Sequence, residues 1–249
     1  MTRTPAQQED FAVVIPAFNE GRTIRELVER ALLYVRHVIV VDDGSNDDTS
    51  AALSGLDVIL LRHELNQGKA ASLWDGMHLA RSYARLGIIT LDGDGQHRPE
   101  DIPRLISRFR ETSNTIVIGS RLHEKEKIPR ARYNANQLAN FLISWTAGYR
   151  ISDSQSGFRI YPADLLESIK IDHQKSSCFV FESEILIEAA YLGVRSVPVK
   201  IPAIYAPHAR ASHFRPVLDI ARIARMLTRK LLARGLYLRG LIQSLQDKQ

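Results

Sequence analysis

The chain has 249 residues, 45% of them hydrophobic, and a formal net charge of +5. That length allows one large buried core, and α/β chains of this size often form a single domain. The apolar runs fall far short of the roughly twenty residues of a membrane span, and the N-terminus lacks an apolar signal-peptide core. Cys178 is the single cysteine, which excludes an intrachain disulfide. We therefore expect a cytoplasmic chain, or one that is peripheral at the inner face of a membrane.

The basic residues are scattered along the chain without interleaved aromatic residues or a nucleic-acid-binding motif, so we expect no nucleic-acid partner.

Strand and helix patterns alternate four times in the first half of the chain. Apolar strands are predicted at 11–16, 37–41, 58–61 and 87–91, each followed by a polar loop and a helix. Thr23 and Glu26 have capping-box spacing at the first of these helices. The alternation predicts an α/β fold with a doubly wound, mixed but mainly parallel sheet and flanking helices.

Acidic loops follow three of these strands. They contain Asn19-Glu20, Asp42-Asp43 and Asp92-Gly93-Asp94-Gly95-Gln96. Ligands of such sheets bind at the carboxyl ends of the strands. Two carboxylates and an amide within five residues are hard oxygen ligands, suited to Mg²⁺ or Mn²⁺ beneath a nucleotide diphosphate. An Asp-Gly-Asp-Gly loop taken alone is equally an ordinary turn.

Six motifs in order give the chain a resemblance to glycosyltransferase family 2, over about residues 11–214. They are Pro16-Ala17-Phe18-Asn19-Glu20, Val41-Asp42-Asp43-Gly44-Ser45, Asn66-Gln67-Gly68-Lys69, Asp92-Gly93-Asp94-Gly95-Gln96, Gly119-Ser120-Arg121 and Ser156-Gly157-Phe158-Arg159. The chain most resembles the branch that transfers mannose or glucose to dolichyl or polyprenyl phosphate. The resemblance implies a GT-A fold, a Mg²⁺ or Mn²⁺ cofactor, and inverting transfer of a hexose from a donor such as GDP-mannose or UDP-glucose to a polyprenyl phosphate or related membrane lipid.

The resemblance also implies roles for individual residues. Metal ligands would be Asp92, Asp94 and Gln96. Phe18 stands where relatives usually have tyrosine, and His213 stands where they have lysine. The donor site would comprise Pro16, Phe18, Glu20, Val41, Asp42, Asp43, Lys69, Asp92, Gly93, Arg121, Arg210 and His213.

The catalytic set that we predict is Asp94, Arg121, Asp153 and Glu182. An alcohol acceptor needs a general base, for which Asp153, Glu182 and Glu184 are candidates, whereas a phosphate monoester is already anionic and needs none. Arginine forks match phosphate oxygens. Candidate acceptor contacts are Arg130, Arg132, Asn136 and Arg159.

The last part of the chain is predicted to be a basic amphipathic helical extension, residues 216–249, after a GT-A domain at 1–215. Ile220, Ile223, Ala224, Leu227 and Leu231 fall on one side of its first helix, and Arg222, Arg225 and Arg229 on the other. Three uses of this helix stay open: packing on the sheet, contact with an anionic membrane surface, and formation of a homodimer.

Alternative functions also stay open. Transfer to a hydroxyl group of a soluble, lipid or cell-envelope glycan acceptor would use the same donor site. A nucleotidyltransferase would carry a glycine-rich basic signature after the first strand, which Ala17-Phe18-Asn19-Glu20 is not. A non-catalytic membrane-associated module is the third alternative. No Gln-x-x-Arg-Trp motif precedes Trp74 or Trp145, which argues against a processive polysaccharide synthase.

Overall fold

One mixed sheet forms the centre of the molecule. The structure, a computed structural model, describes residues 9–112, 114–169, 171, 178–204 and 216–247. The strands in this part of the chain are β1 (Phe11–Ala17), β2 (His37–Asp42), β3 (Ile59–Arg62), β4 (Gly87–Thr90), β5 (Thr115–Ser120), β6 (Arg159–Pro162) and β7 (Arg195–Lys200).

Helices cover both faces of this sheet. They are α1 (Ile24–Leu32), α2 (Thr49–Ala52), α3 (Lys69–Ala80), α4 (Ile102–Glu111), α5 (Arg130–Ala147), α6 (Leu165–Ser168), α7 (Cys178–Tyr191), α8 (Pro216–Ala233) and α9 (Leu238–Gln246), with 3₁₀ turns at Pro99–Asp101, Leu122–Lys127 and Gly235–Tyr237. Among the described helices, none combines the length and hydropathy that crossing a membrane requires.

The strand order is β3-β2-β1-β4-β6-β5-β7. Neighbouring strands are parallel except at β6, which runs antiparallel to β4 and to β5. This arrangement confirms the predicted mixed, mainly parallel sheet, and the four predicted strands differ from the observed ones by at most one residue at each end. After β3 the chain returns to the other side of β1, so the strand order reverses between β1 and β4. Ligands of open α/β sheets bind at such a point.

Close packing positions α3 on the sheet. A Cβ atom at Gly76 would lie 2.6 Å from Cγ1 of Val14 and 2.7 Å from Cγ2 of Val41, so only glycine allows the helix to lie this near to β1 and β2. All seven residues of β1 are buried. Helix α3 therefore packs on a fully buried strand, and its first residue, Lys69, lies at the carboxyl edge of the strands.

Helix α8 packs through one apolar side. Ile223, Leu227 and Leu231 are buried, and the helix contacts α5 and α7 rather than the sheet. Ala224, which we expected on the apolar side, is exposed. The side chains of residues 216–221, including Ile220, lie outside the described part of the chain. Arg222, Arg225 and Arg229 are exposed, as the helical pattern predicts.

A bidentate ion pair joins α1 to the turn before α4. Nε and Nη2 of Arg30 donate to Oε1 and Oε2 of Glu100 at 2.8 and 2.7 Å. These bonds lower the pKa of Glu100 from 4.5 to about 2. Because the folded pKa is the lower one, the pair stabilises the fold above about pH 4.5, and its contribution falls away between that pH and about pH 2.

We expect Glu100→Gln to lower the free energy of unfolding at neutral pH by about 0.5–1 kcal/mol, after allowance for partial exposure. The difference from wild type should vanish at the acid end of that window. Urea titrations at neutral and acid pH measure it. Glu29→Gln, which breaks a more exposed pair with Arg25, is the matched control. Equal losses in the two variants would contradict a special role for Glu100.

Candidate active site

The loops after β1 and β2 are tied together at the point where the strand order reverses. Asn19 has a left-handed backbone, with φ of 58°. Its N–H donates to Oγ of Ser45 at 2.9 Å, and its Oδ1 accepts from the N–H of Asn46 at 2.9 Å. The N–H of Glu20 donates to Oγ1 of Thr49 at 2.8 Å. These bonds fix the two loops beside Phe18 and Glu20, which are both half-buried.

Asp92 carries the strongest charge contact of the site. Nζ of Lys69 lies 2.6 Å from its Oδ1 and 3.5 Å from Oε1 of Glu182. Burial acts to raise the pKa of Asp92, but the charge and hydrogen bond of Lys69, together with the electrostatic contributions of His97 and Arg121, hold this pKa at about 2. Asp92 is therefore an anion at any physiological pH.

Asp94 lies two residues further along the same loop, and it is exposed. Its Oδ1 accepts from the N–H of Gln96 at 3.0 Å. Although the residue reaches solvent, the pKa of Asp94 is raised, first because surrounding atoms of the protein partly desolvate its carboxylate and then because Asp92 is negative. A pair of nearby carboxylates whose mutual repulsion is not fully neutralised is the electrostatic setting that a divalent cation relieves.

These residues fit a divalent metal. Asp92, Asp94 and half-buried Gln96 offer hard oxygen donors from a single loop, leaving the remaining positions of a Mg²⁺ or Mn²⁺ ion for water and phosphate oxygens. Among the described residues, no group of three or more His, Cys, Asp or Glu side chains converges, so this loop offers two carboxylates and the amide of Gln96.

His97 is a site residue to which the sequence pattern assigned no role. It is buried, its ring lies 5.5 Å from that of Phe158, and its Nδ1 lies 3.8 Å from Oδ2 of Asp92. Neither ring nitrogen has a hydrogen-bond partner among the described residues. Burial lowers the pKa of His97 to about 3, so the ring is neutral beside the acidic loop. In the sequence, the one indication that His97 belongs to the site was its position directly after Gln96.

Three contacts hold the acidic loop from outside. Oγ1 of Thr90 donates to the carbonyl oxygen of Gly157 at 2.7 Å. A Cβ atom at Gly157 would lie 2.7 Å from both carboxylate oxygens of Asp92, so this position requires glycine. Oγ1 of Thr23 donates to the carbonyl oxygen of Gly93 at 3.2 Å. The predicted capping box is wrong, because α1 has no side-chain cap and Thr23 bonds to the loop instead.

The two aspartates after β2 are both buried. Oδ1 of Asp42 accepts from the N–H of Ser45 at 2.9 Å, and its Oδ2 accepts from Oγ of Ser50. Burial favours a higher pKa for Asp42, yet these hydrogen bonds leave its pKa lowered. With no exposed surface, Asp42 shapes the loop, which contradicts its predicted contact with a donor.

Asp43 anchors the loop that precedes α3. Its Oδ1 accepts from the N–H of Gln67 at 2.9 Å and lies 2.8 Å from Nδ1 of His63, while its Oδ2 accepts from the N–H of Gly68 at 2.8 Å. It is 3% exposed. These bonds orient the start of α3, and with it Lys69. The predicted place of Asp43 in the donor site stays a prediction.

Arg121 and Asp153 form one unit beside the acidic loop. The backbone N–H of Arg121 donates to Oδ2 of Asp153 at 2.7 Å, and its Nε lies 3.9 Å from the same oxygen. Asp153 has a left-handed backbone, with φ of 54°, and no exposed surface. It therefore holds Arg121 in place. This burial does not fit the prediction that Asp153 is a base that contacts an acceptor.

Helix α7 brings its carboxylates to different partners. Glu182 is almost fully buried and faces Lys69. Glu184 lies 2.9 Å from Nζ of Lys230 on α8, which also pairs with Glu188. Glu182 therefore lies beside Lys69 and the acidic loop, whereas Glu184 lies beside α8; the catalytic role of Glu182 stays a prediction.

Arg159 contradicts its predicted acceptor contact. It is fully buried, and its Nε, Nη2 and Nη1 donate to the carbonyl oxygens of Ser156, Ser154 and Glu182, each at 2.7 Å. The guanidinium joins the loop before β6 to α7. It is a positioning residue, because it has no exposed surface and four of its five N–H groups donate inside the protein, three to carbonyl oxygens and one to the hydroxyl of Tyr161.

The remaining predicted residues differ in burial. Pro16, Val41 and Gly93 are buried, Val41 with no exposed surface, and their contacts with a donor stay predictions. On α5, Arg130 is exposed and Asn136 is half-buried, so both can meet a ligand from solvent. The side chain of Arg132, and the whole of Arg210 and His213, lie outside the described residues.

Comparison with known proteins agrees with this fold and identifies the family. The family model described as Glycosyl transferase family 2 matches residues 12–170. A UDP-N-acetylglucosamine–dolichyl-phosphate N-acetylglucosaminyltransferase of Methanococcus voltae is 28% identical, over 88% of this chain and 95% of that protein. An undecaprenyl-phosphate mannosyltransferase of Micrococcus luteus is 30% identical, over 76% of this chain and 81% of that protein.

A solved structure supports the fold. Glucosyl-3-phosphoglycerate synthase from Mycobacterium tuberculosis, crystallised with Mn²⁺, UDP and glucosyl-3-phosphoglycerate, matches with a TM-score of 0.59 and 20% identity. The match covers 91% of this chain and 80% of that one. The chain belongs to glycosyltransferase family 2, and it is an enzyme of the glycosyltransferase class.

Proposed function

We propose that the protein is a metal-dependent inverting glycosyltransferase that moves a hexose from a nucleotide diphosphate sugar to a polyprenyl or dolichyl phosphate. One observation carries the proposal: Asp92 and Asp94 form a carboxylate pair at the end of β4, with Lys69 on Asp92 and Arg121 nearby. The names of the two relatives, which pair a sugar with dolichyl or undecaprenyl phosphate, support the choice of acceptor.

The positive groups of the chain act on the leaving group. Cleavage of the bond between sugar and diphosphate builds negative charge on the nucleotide. Arg121, oriented by Asp153, and Lys69, oriented by Asp92, are preorganised cations at this edge of the sheet. Contacts that strengthen as charge develops lower the barrier. A divalent ion held by Asp92, Asp94 and Gln96 would add Lewis-acid stabilisation of the diphosphate.

The state of the candidate bases favours a phosphate acceptor. Asp153 is buried and accepts from Arg121, Glu182 faces Lys69, and Glu184 pairs with Lys230. Each carboxylate is therefore already engaged with a partner inside the protein. An acceptor that is already ionised needs no such base. Transfer to a hydroxyl group is the alternative that these pairings disfavour.

Binding and transfer assays test the proposal. GDP- and UDP-linked mannose, glucose and N-acetylglucosamine are titrated calorimetrically with Mn²⁺ and with a chelator, and the donor that binds is then incubated with polyprenyl phosphate. We expect Mn²⁺-dependent binding of one donor class and a glycosyl phosphate lipid of inverted anomeric configuration. Transfer to glycan hydroxyl groups, with none to the lipid phosphate, would support the alternative instead.

A further inference from the structure

Helix α9 turns its large apolar residues outward. Leu238, Ile242 and Leu245 are 61%, 55% and 67% exposed, whereas Gly240 and Ser244 are buried, and the helix packs on α5. A surface helix normally buries its large apolar residues and exposes the small or polar ones. Full burial of one such side chain stabilises by about 1.5–3 kcal/mol, so covering these residues of α9 with an apolar partner would be strongly favourable.

Helix α5 extends the same surface. Leu138 and Phe141 are 61% and 41% exposed. The ring of Phe141 lies 6.4 Å from that of Trp145, and Nε1 of Trp145 donates to the carbonyl oxygen of Leu236, just before α9. A contiguous set of this kind, unlike single exposed apolar residues, marks an interaction site. We call it the α5–α9 apolar face: Leu138, Phe141, Leu238, Ile242 and Leu245.

A cleft of about 720 Å³ adjoins this face. Phe141 and Leu245 belong to both, and the far wall includes Ser120 and Lys200, at the ends of β5 and β7. Ser120 directly precedes Arg121. The cleft therefore connects the apolar face with the residue before the arginine of the candidate active site. Its volume is that of a small-molecule site.

Basic residues outnumber acidic ones beside both features, where Asp247, which follows α9, pairs with Arg195. His123, Arg150 and Lys200 line the cleft, and its described lining residues include no Asp or Glu. Arg239 on α9 is exposed as well. Arg234 lies 3.8 Å from the ring centre of Tyr237, at the start of the same helix. Apolar residues with a basic surround complement an anionic lipid surface, whereas a second copy of the chain would bring like charges together.

We propose that the α5–α9 apolar face lies on an anionic bilayer, and that the adjoining cleft receives an isoprenoid phosphate from it. The phosphate enters toward Lys200 and Arg121, and the first isoprene units lie between Phe141 and Leu245. This inference rests on the proposed function, because it identifies where that reaction's acceptor binds.

Vesicle binding by the full chain tests the surface. We expect sedimentation with vesicles of phosphatidylcholine and phosphatidylglycerol, and weaker binding to phosphatidylcholine alone. Ile242→Glu/Leu245→Glu should weaken binding by about tenfold or more, since two apolar contacts are lost. Gln243→Glu/Gln246→Glu adds the same charge to exposed positions of the same helix and should change binding far less. Equal effects of the two pairs would overturn the proposal.

Acceptor kinetics test the cleft. Gln137 lines the cleft, and Ala135 is exposed on α5 outside it. With a water-soluble short-chain isoprenoid phosphate, Gln137→Trp should raise the acceptor KM by about tenfold and leave the donor KM unchanged, since lost contacts of about 1.4 kcal/mol correspond to that factor. Ala135→Trp should move neither. An unchanged acceptor KM in Gln137→Trp would overturn the proposal.

Other results separate this inference from the proposed function. Light scattering that shows a dimer dissociated by Ile242→Glu/Leu245→Glu, together with no vesicle binding, would identify a subunit interface and overturn the inference alone. Wild-type protein that binds anionic vesicles but consumes no nucleotide sugar would overturn the proposed function, and with it the ligand assigned to the cleft.

Discussion

Asp94→Asn is expected to fold and to lose metal-dependent turnover. Asp94 supplies a carboxylate at the end of β4, and loss of one preorganised electrostatic contact costs on the order of 3 kcal/mol, or roughly a hundredfold in rate. The amide keeps an oxygen that can accept from the N–H of Gln96, so the loop retains its shape. Steady-state transfer assays with Mn²⁺ measure turnover, and paramagnetic relaxation of water protons measures Mn²⁺ affinity.

In the absence of metal, Asp94→Asn should have a higher free energy of unfolding than wild type at neutral pH. Crowding and the charge of Asp92 raise the pKa of Asp94, so its ionised form disfavours the fold at neutral pH. This penalty is present above the folded pKa and absent below the ordinary value of 3.8. A raised melting temperature at neutral pH, which disappears in acid, would show it.

Asp57→Asn is the matched control, because it removes the same charge from an exposed position before β3, at the other edge of the sheet. Unchanged Mn²⁺ affinity in Asp94→Asn would refute the metal role of Asp94.

Arg159→Met should be strongly destabilised. The guanidinium donates to the carbonyl oxygens of Ser154, Ser156 and Glu182 inside the protein. Methionine fills similar space but leaves these acceptors without donors, and the breaking of a buried charged network costs about 3–5 kcal/mol. Urea unfolding followed by circular dichroism measures the loss.

Arg130→Met is the matched control for Arg159→Met, because Arg130 is the arginine that we expect to meet a ligand rather than to hold the fold together. Arg130 is exposed at the start of α5. We expect little change in its stability, within about 0.5 kcal/mol, and a raised acceptor KM. The opposite pattern, with Arg159→Met stable and impaired only in acceptor KM, would restore the acceptor contact that the sequence pattern suggests for Arg159.

Local pattern predicted the first four strands because each is an apolar run followed by a polar loop and a helix. It did not identify β6, whose four residues include the buried Arg159 and whose antiparallel pairing depends on strands far away in the chain. Strand β7 contains Pro198, which lowers strand propensity, and the position of β7 at the end of the sheet makes the proline tolerable.

In the candidate site, too, some features could be predicted from the sequence and others could not. The shared edge of parallel strands predicts that the acidic loops after β1, β2 and β4 lie together, and hydrogen bonds from Asn19 to Ser45 and from Thr23 to Gly93 join them. The burial of individual side chains, which the sequence pattern does not reveal, determines which of them can meet a ligand. Carbonyl oxygens and phosphate oxygens both accept from an arginine fork, so a sequence does not distinguish Arg159, enclosed by the former, from an arginine that awaits the latter.

The order of strands has a consequence for synthesis of the chain. Strand β6 lies between β4 and β5 in the sheet but is synthesised after both. The backbone groups of β4 and β5 that pair with β6 therefore stay unpaired until residues 159–162 have left the ribosome. A nascent chain or truncation that ends earlier exposes unpaired backbone groups, the usual template for aggregation. Because the N–H of Gly119 also donates to the carbonyl oxygen of Phe158, insertion of this late strand aligns Ser120 and Arg121 with the acidic loop.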